Sequence, residues 1–148
     1  MKNSKTTSRY NEEIQQIHSL ASEMKLLKER EYKLTERLIS EHQLVSDLKK
    51  NPHFLQEDDK ASLCLLVDDV FNEFTTRLTD RFPNLTEVDI LYCVLIKLRF
   101  SVSQIAILSA ISPTSVSQQK SRMKKRMLAI EQSLFDKHKS MDSWIIDF

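Results

Sequence analysis

Glycine is absent from all 148 residues, where ordinary usage of about 7% would supply roughly ten. P-loops, dinucleotide fingerprints and nucleophile elbows use glycine where backbone must approach a phosphate or turn sharply, so none can be written here. The common nucleotide enzymes are excluded with them. Tight hairpins also lean on glycine for positive φ, and only Pro52, Pro83 and Pro113 break the chain, which predicts an all-α protein. Cysteine is sparse too. Cys64 and Cys93 lie far apart among apolar residues, and the N-terminus is polar through Gln16 and unlike a secretory leader, which suits a reducing, cytoplasmic compartment. Apolar stretches such as Leu63 to Val67 and Val94 to Ile96 fall far short of the roughly 20 residues of a membrane span. Neither the cysteines nor His18, His42, His53 and His138 sit at metal-ligand spacing, so no metal or other cofactor is expected.

The formal charge of +1 conceals a segregation. Residues 1–80 carry 12 basic and 15 acidic groups, residues 81–130 carry 8 and 2, and residues 131–148 carry 2 and 4. A strongly basic block in a balanced chain points to one polyanion-facing surface.

From Tyr10 to Leu48 apolar residues recur at alternating steps of three and four, the seam of a heptad repeat. The a positions are Tyr10, Ile17, Met24, Glu31, Leu38 and Val45; the d positions are Glu13, Leu20, Leu27, Leu34, Glu41 and Leu48. Glu23 at g and Lys28 at the following e can pair between parallel strands. Such a stripe serves either a homodimeric coiled coil over Tyr10–Leu48 or a single amphipathic helix folded back onto the rest of the chain. Asn51-Pro52 is expected to end the helix. The chain thus divides into a helical, coiled-coil segment over 1–55 and a small domain of about four helices over 56–148.

In that domain, Asp58 or Asp59 is expected to cap a helix reaching about Thr79, with Leu63, Leu66, Val67, Val70, Phe71, Phe74 and Leu78 on its apolar face. Asp68 and Asp69 diverge on that helix, which argues against paired acid–base chemistry. Thr86 predicts an N-cap for a helix to about Leu98 that buries Val88, Leu91, Val94, Leu95 and Leu98. Ser101 and Gln104 form a capping box for a short helix turning Ile105, Ala106 and Leu108 inward. Ser112-Pro113 pairs an N-cap with proline at the first helical position, and Val116, Met123, Met127, Ile130 and Leu134 make the buried stripe that follows. Phe135, Trp144, Ile145, Ile146 and Phe148 read as a tail over the core, or as a self-association patch.

A short helix, a turn of three or four residues and a longer helix with a basic middle form a helix-turn-helix, whose second helix enters the DNA major groove. Its polar residues Thr114, Ser117, Gln118 and Ser121 can meet base edges, Gln118 matching the N6/N7 edge of adenine. Lys120, Arg122, Lys124, Lys125 and Arg126 supply charge for phosphates.

The stretches Leu85-Thr86-Glu87, Ser101-Val-Ser-Gln-Ile-Ala106, Ile111-Ser-Pro-Thr-Ser-Val116 and Ser121-Arg-Met-Lys-Lys-Arg126 resemble the C-terminal DNA-binding domain of LuxR/GerE-type transcriptional regulators, without a gap over about Phe82 to Leu128. They are most similar to a subgroup carrying Phe-Pro-Asn-Leu-Thr before the first helix and often a coiled coil upstream. In that subgroup the domain commonly ends a longer protein with tetratricopeptide repeats and a membrane helix, neither of which is read in these residues. The resemblance implies a wingless helix-turn-helix with a motif core over 85–128 and a recognition helix over Pro113 to Leu128. It puts Thr114, Ser117, Gln118 and Ser121 at bases, and Ser115, Lys120, Arg122, Lys124 and Lys125 nearer the backbone. Four positions depart from the family pattern: Arg99 stands at a usual glycine, Ser103 and Ser117 at usual basic residues, and Ser109 at a usual leucine whose space Leu108 beside it can fill.

The function expected is therefore sequence-specific transcriptional regulation by a dimer on double-stranded DNA, without enzymatic activity, since no nucleophile, base and oxyanion donors converge in the sequence. The alternative is a protein-interaction module whose coiled coil binds a sensor or transcription-machinery partner, with the helix-turn-helix as scaffold.

Overall fold

The computed structural model describes residues 2–135 and 139–148, without the side chains of residues 2–4, 40 and 41. His138 and the Glu41 side chain therefore lie outside the described residues. Every regular element among the described residues is helical, and the chain divides into two units, residues 1–40 and 41–148.

The described residues of the first unit lie on one continuous helix, α1 (Lys2–Glu41), whose last residue falls in the second unit. Its seam residues Tyr10, Ile17, Leu20, Met24, Leu27, Leu34 and Leu38 are between 53% and 64% exposed. The helix expected to continue to Asn51 is interrupted at His42, whose extended backbone (φ −67°, ψ 124°) opens α2 (Gln43–Lys50). Val45 and Leu48, the last a and d positions of the repeat, are buried in the second unit. The exposed seam thus ends at Leu38, because a short amphipathic helix gains more from a core than from prolonging a narrow stripe.

In the second unit α3 (Glu57–Val70) starts after Gln56, so neither Asp58 nor Asp59 caps it. Both join Glu57 in the first turn, where the positive end of the helix dipole favours carboxylates. The helix expected to reach Thr79 breaks at Asn72 and Glu73, both left-handed, and α4 (Phe74–Arg81) follows. Asp68 fastens the corner, its carboxylate accepting the Thr75 N–H at 2.8 Å and the Thr75 hydroxyl at 2.7 Å. Leu63, Val67, Phe74 and Leu78 are buried as their spacing predicts.

The centre of the unit is α5 (Glu87–Lys97), packed against α3, α4, α7 (Pro113–Ile130) and α8 (Met141–Asp147). Tyr92 through Leu98 are all buried, whereas Val88, expected inside, is 50% exposed and Leu91 only half-buried. Neighbours on several sides hide α5 nearly all round, so a single apolar stripe does not describe it. Ile130 and Leu134, expected on the buried stripe of α7, are exposed and half-buried.

The C-terminal tail covers this core. Trp144 stacks on Phe148 at 4.8 Å, and edge contacts join Phe82 to Trp144 at 5.7 Å and Phe74 to Phe148 at 6.0 Å. Beneath α8 the buried Lys97 ammonium donates to the carbonyls of Ile145 and Ile146 and lies 4.6 Å from the Phe71 ring and 5.2 Å from that of Phe74. Burial, reinforced by Arg77, lowers its pKa to about 8.

Without glycine, two helices close with ordinary residues in the left-handed region. Arg99 (φ 65°) ends α5, its N–H donating to Ile96 O while the Phe100 N–H donates to Leu95 O. Ala110 (φ 55°) ends α6 (Val102–Ser109) in the same way, through Ala110 N–H to Ile107 O and Ile111 N–H to Ala106 O. This is the Schellman arrangement, which satisfies the last carbonyls at the expense of backbone strain that glycine would avoid. No helix among the described residues is long and apolar enough to cross a membrane.

Candidate nucleic-acid interface

Two reciprocal caps and a hydroxyl cap fix the helices that flank the candidate surface. The Thr86 hydroxyl accepts the Asp89 N–H at 3.1 Å while the Asp89 carboxylate accepts the Thr86 N–H at 3.0 Å, opening α5. Ser101 and Gln104 do the same for α6, at 3.1 Å and 2.8 Å. The Ser112 hydroxyl accepts the Ser115 N–H at 3.1 Å, with Pro113 at the first position of α7. Only Ala110, Ile111 and Ser112 separate α6 from α7. Ile105, Ala106 and Leu108 on α6 and Val116, Met123 and Met127 on α7 are buried, and the two helices pack on one another.

Those buried positions orient α7. At about 100° per residue, Thr114, Gln118, Ser121 and Lys125 fall opposite Val116, Met123 and Met127, following each other at steps of four, three and four. All four are exposed, with Arg122 beside them. Among the described residues neither Arg122 nor Lys125 is held in an ion pair. Ser117 and Lys124 are exposed on one flank, where the Lys124 ammonium lies 5.7 Å from the Phe135 ring. Ser115 lies half-buried on the other flank, its hydroxyl accepting from that of Ser112 at 3.0 Å.

Lys120 does not share this outward face. It follows Val116 by four and precedes Met123 by three, on the edge of the buried stripe, and its ammonium pairs with Asp142 of α8 at 2.7 Å. Arg126, on the opposite edge, pairs with Asp89 at 2.9 Å. The Asp89 carboxylate is fully buried and also accepts the Gln119 amide at 2.9 Å, so one acid caps α5 and anchors α7 through two side chains. Of the other basic residues in the block, Lys97 is buried, and Arg81 is bound at 2.7 Å to Glu131, whose carboxyl it holds below the usual range. Much of the charge segregated in the sequence therefore stabilises the fold instead of facing outward.

Asp89, Gln119, Arg126 and Asp142 escape sequence reading as positioning residues. Spacing alone offers one clue: Gln119 and Arg126 are seven residues apart, on the same side of α7 and flanking its apolar stripe.

Neither cysteine is set up as a nucleophile. Burial raises the Cys93 thiol far above its ordinary pKa, and burial together with Asp68 raises that of Cys64. Among the described residues no group of three His, Cys, Asp or Glu side chains converges as a metal site. Comparison of the chain with protein-family models, with curated proteins and with solved structures finds no match.

Proposed function

We propose that the protein is a sequence-specific, DNA-binding transcriptional regulator that presents α7 to the major groove as the recognition helix of a helix-turn-helix. The observation that carries this reading is the outward face of α7: Thr114, Gln118, Ser121, Arg122 and Lys125 are exposed together, while the opposite face is locked to α5, α6 and α8. A helix held rigidly on one side and polar and cationic on the other suits groove insertion, with short side chains over bases and cations over phosphates.

The left-handed backbone at Arg99 adds support, since the LuxR/GerE pattern has glycine there and the turn geometry is one glycine favours. On this reading Ser117 and Lys124 lie at the edge of the interface, and Ser115 near the phosphates at the helix N-terminus. Lys120 belongs to the scaffold.

Selection of bound duplexes from a randomised pool tests the proposal. A recurrent motif is expected, relaxed at one adenine by Gln118→Ala. Failure of folded protein to enrich any sequence would overturn it.

The exposed seam of α1 favours a second reading, a protein-interaction module without DNA contact. Ser103 and Ser117, where the family pattern has basic residues, are consistent with it. Under that reading, Lys124→Ala combined with Lys125→Ala leaves regulation unchanged.

A further inference from the structure

We infer that the exposed stripe of α1 is covered by a second copy of the chain running antiparallel, in the register where the numbers of facing a and d residues sum to about 51. The stripe is 53–64% exposed from Tyr10 to Leu38 along a single uninterrupted helix. An apolar seam of that length, flanked by charge, is one half of a two-stranded coil.

Charge decides the orientation. In a parallel, in-register pair Glu13 meets Glu13 and Glu31 meets Glu31 across the seam, two like-charge layers in the least hydrated part of the interface. Reversing one helix sets each a opposite a d. In the proposed register Ile17 faces Leu34 of the second copy, Met24 faces Leu27, Glu31 faces Leu20 and Glu13 faces Leu38, each layer occurring twice by symmetry. No seam carboxylate among these then faces another, and each can bend past a leucine to water.

The flanks agree. Antiparallel helices bring g positions together on one flank, and here Glu23 lies beside Arg30 of the second copy, a contact made twice by symmetry. Shifting one heptad toward the N-terminus sets Glu13 against Glu31 and Glu23 against Glu23. Shifting one heptad the other way sets Arg30 against Arg30. The parallel pair gains Glu23 with Lys28 at its flanks but keeps both Glu layers. The rod that results carries the two chains' position 41 at opposite ends, about 47 Å apart along the axis at 1.5 Å per residue.

The test uses the full chain with Cys64→Ser, since Cys93 is buried, and reads the seam without DNA, so its outcome is separate from that of the DNA-binding proposal. Mixing Ile17→Cys protein with Leu34→Cys protein under mild oxidation should give the mixed disulfide, whereas Ile17→Cys alone should give none, its two copies lying about 25 Å apart along the rod. Cross-linking of Ile17→Cys with itself would overturn the proposal, as would no mixed disulfide, or sedimentation of the unaltered chain as a monomer. Independently, Glu23→Arg should weaken self-association roughly tenfold by setting arginine against Arg30 twice, and adding Arg30→Glu should restore it. A parallel coil would not be rescued, because Glu23→Arg would still set like charge against Lys28.

Discussion

Arg126 Nη1 lies 3.0 Å and 2.9 Å from the two carboxylate oxygens of Asp89, which is fully buried and at the same time caps the N-terminus of α5. One acid therefore fixes the start of the central helix and the tilt of the helix that carries the candidate interface. Asp89→Ala strands the Gln119 amide and a half-buried guanidinium and removes a cap. A loss of about 2–3 kcal/mol in urea unfolding is expected, discounted from a fully buried pair because Arg126 is partly exposed. A loss below about 0.5 kcal/mol would show that the cluster does not hold α7.

The left-handed residues suggest an opposite change. Ala110 sits at φ 55° in the turn between α6 and α7, and a Cβ there costs about 1–2 kcal/mol that glycine does not incur. Part of that gain is offset by the greater freedom of glycine in the unfolded chain. Ala110→Gly should raise stability by about 0.5–1 kcal/mol, read as a higher urea midpoint with unchanged slope.

Lys97 gives the fold a signature in alkali. Its folded pKa is lowered to about 8, chiefly by burial, against 10.5 ordinarily. Below pH 8 both folded and unfolded states hold the proton, so stability is insensitive to this group there. Between about pH 8 and 10.5 the unfolded chain binds more protons than the folded one, and stability rises with pH. Urea unfolding should gain on the order of 1 kcal/mol between pH 7 and pH 9, and Lys97→Met should flatten that rise. A fall over the same interval in the unaltered chain would mean that the two carbonyls and two rings favour the ammonium more than burial opposes it.

Much of this architecture is legible in the sequence where signals are local. The Thr86, Ser101 and Ser112 caps, the short turn before Pro113 and the buried Val116, Met123 and Met127 follow from spacing and cap chemistry. What escapes is set by tertiary partners. Val45 and Leu48 continue the heptad arithmetic without a break, yet a core takes them. The break at Asn72 and Glu73 carries no glycine or proline, being held by Asp68 and Thr75. Lys120 looks like any other cation of the basic run until Asp142, 22 residues later, is found beside it.

That distinction between outward and inward cations allows the most direct test of the α7 face. Binding of labelled duplex DNA is followed by anisotropy across a series of salt concentrations, for the unaltered chain, for Arg122→Ala with Lys125→Ala, and for Lys120→Ala. If α7 docks through its outward face, the log–log slope should fall by about 1.8 in the double variant, at about 0.9 per phosphate contact, and stay unchanged in Lys120→Ala. No binding by folded protein, or equal slopes for the unaltered chain and the double variant, would contradict it.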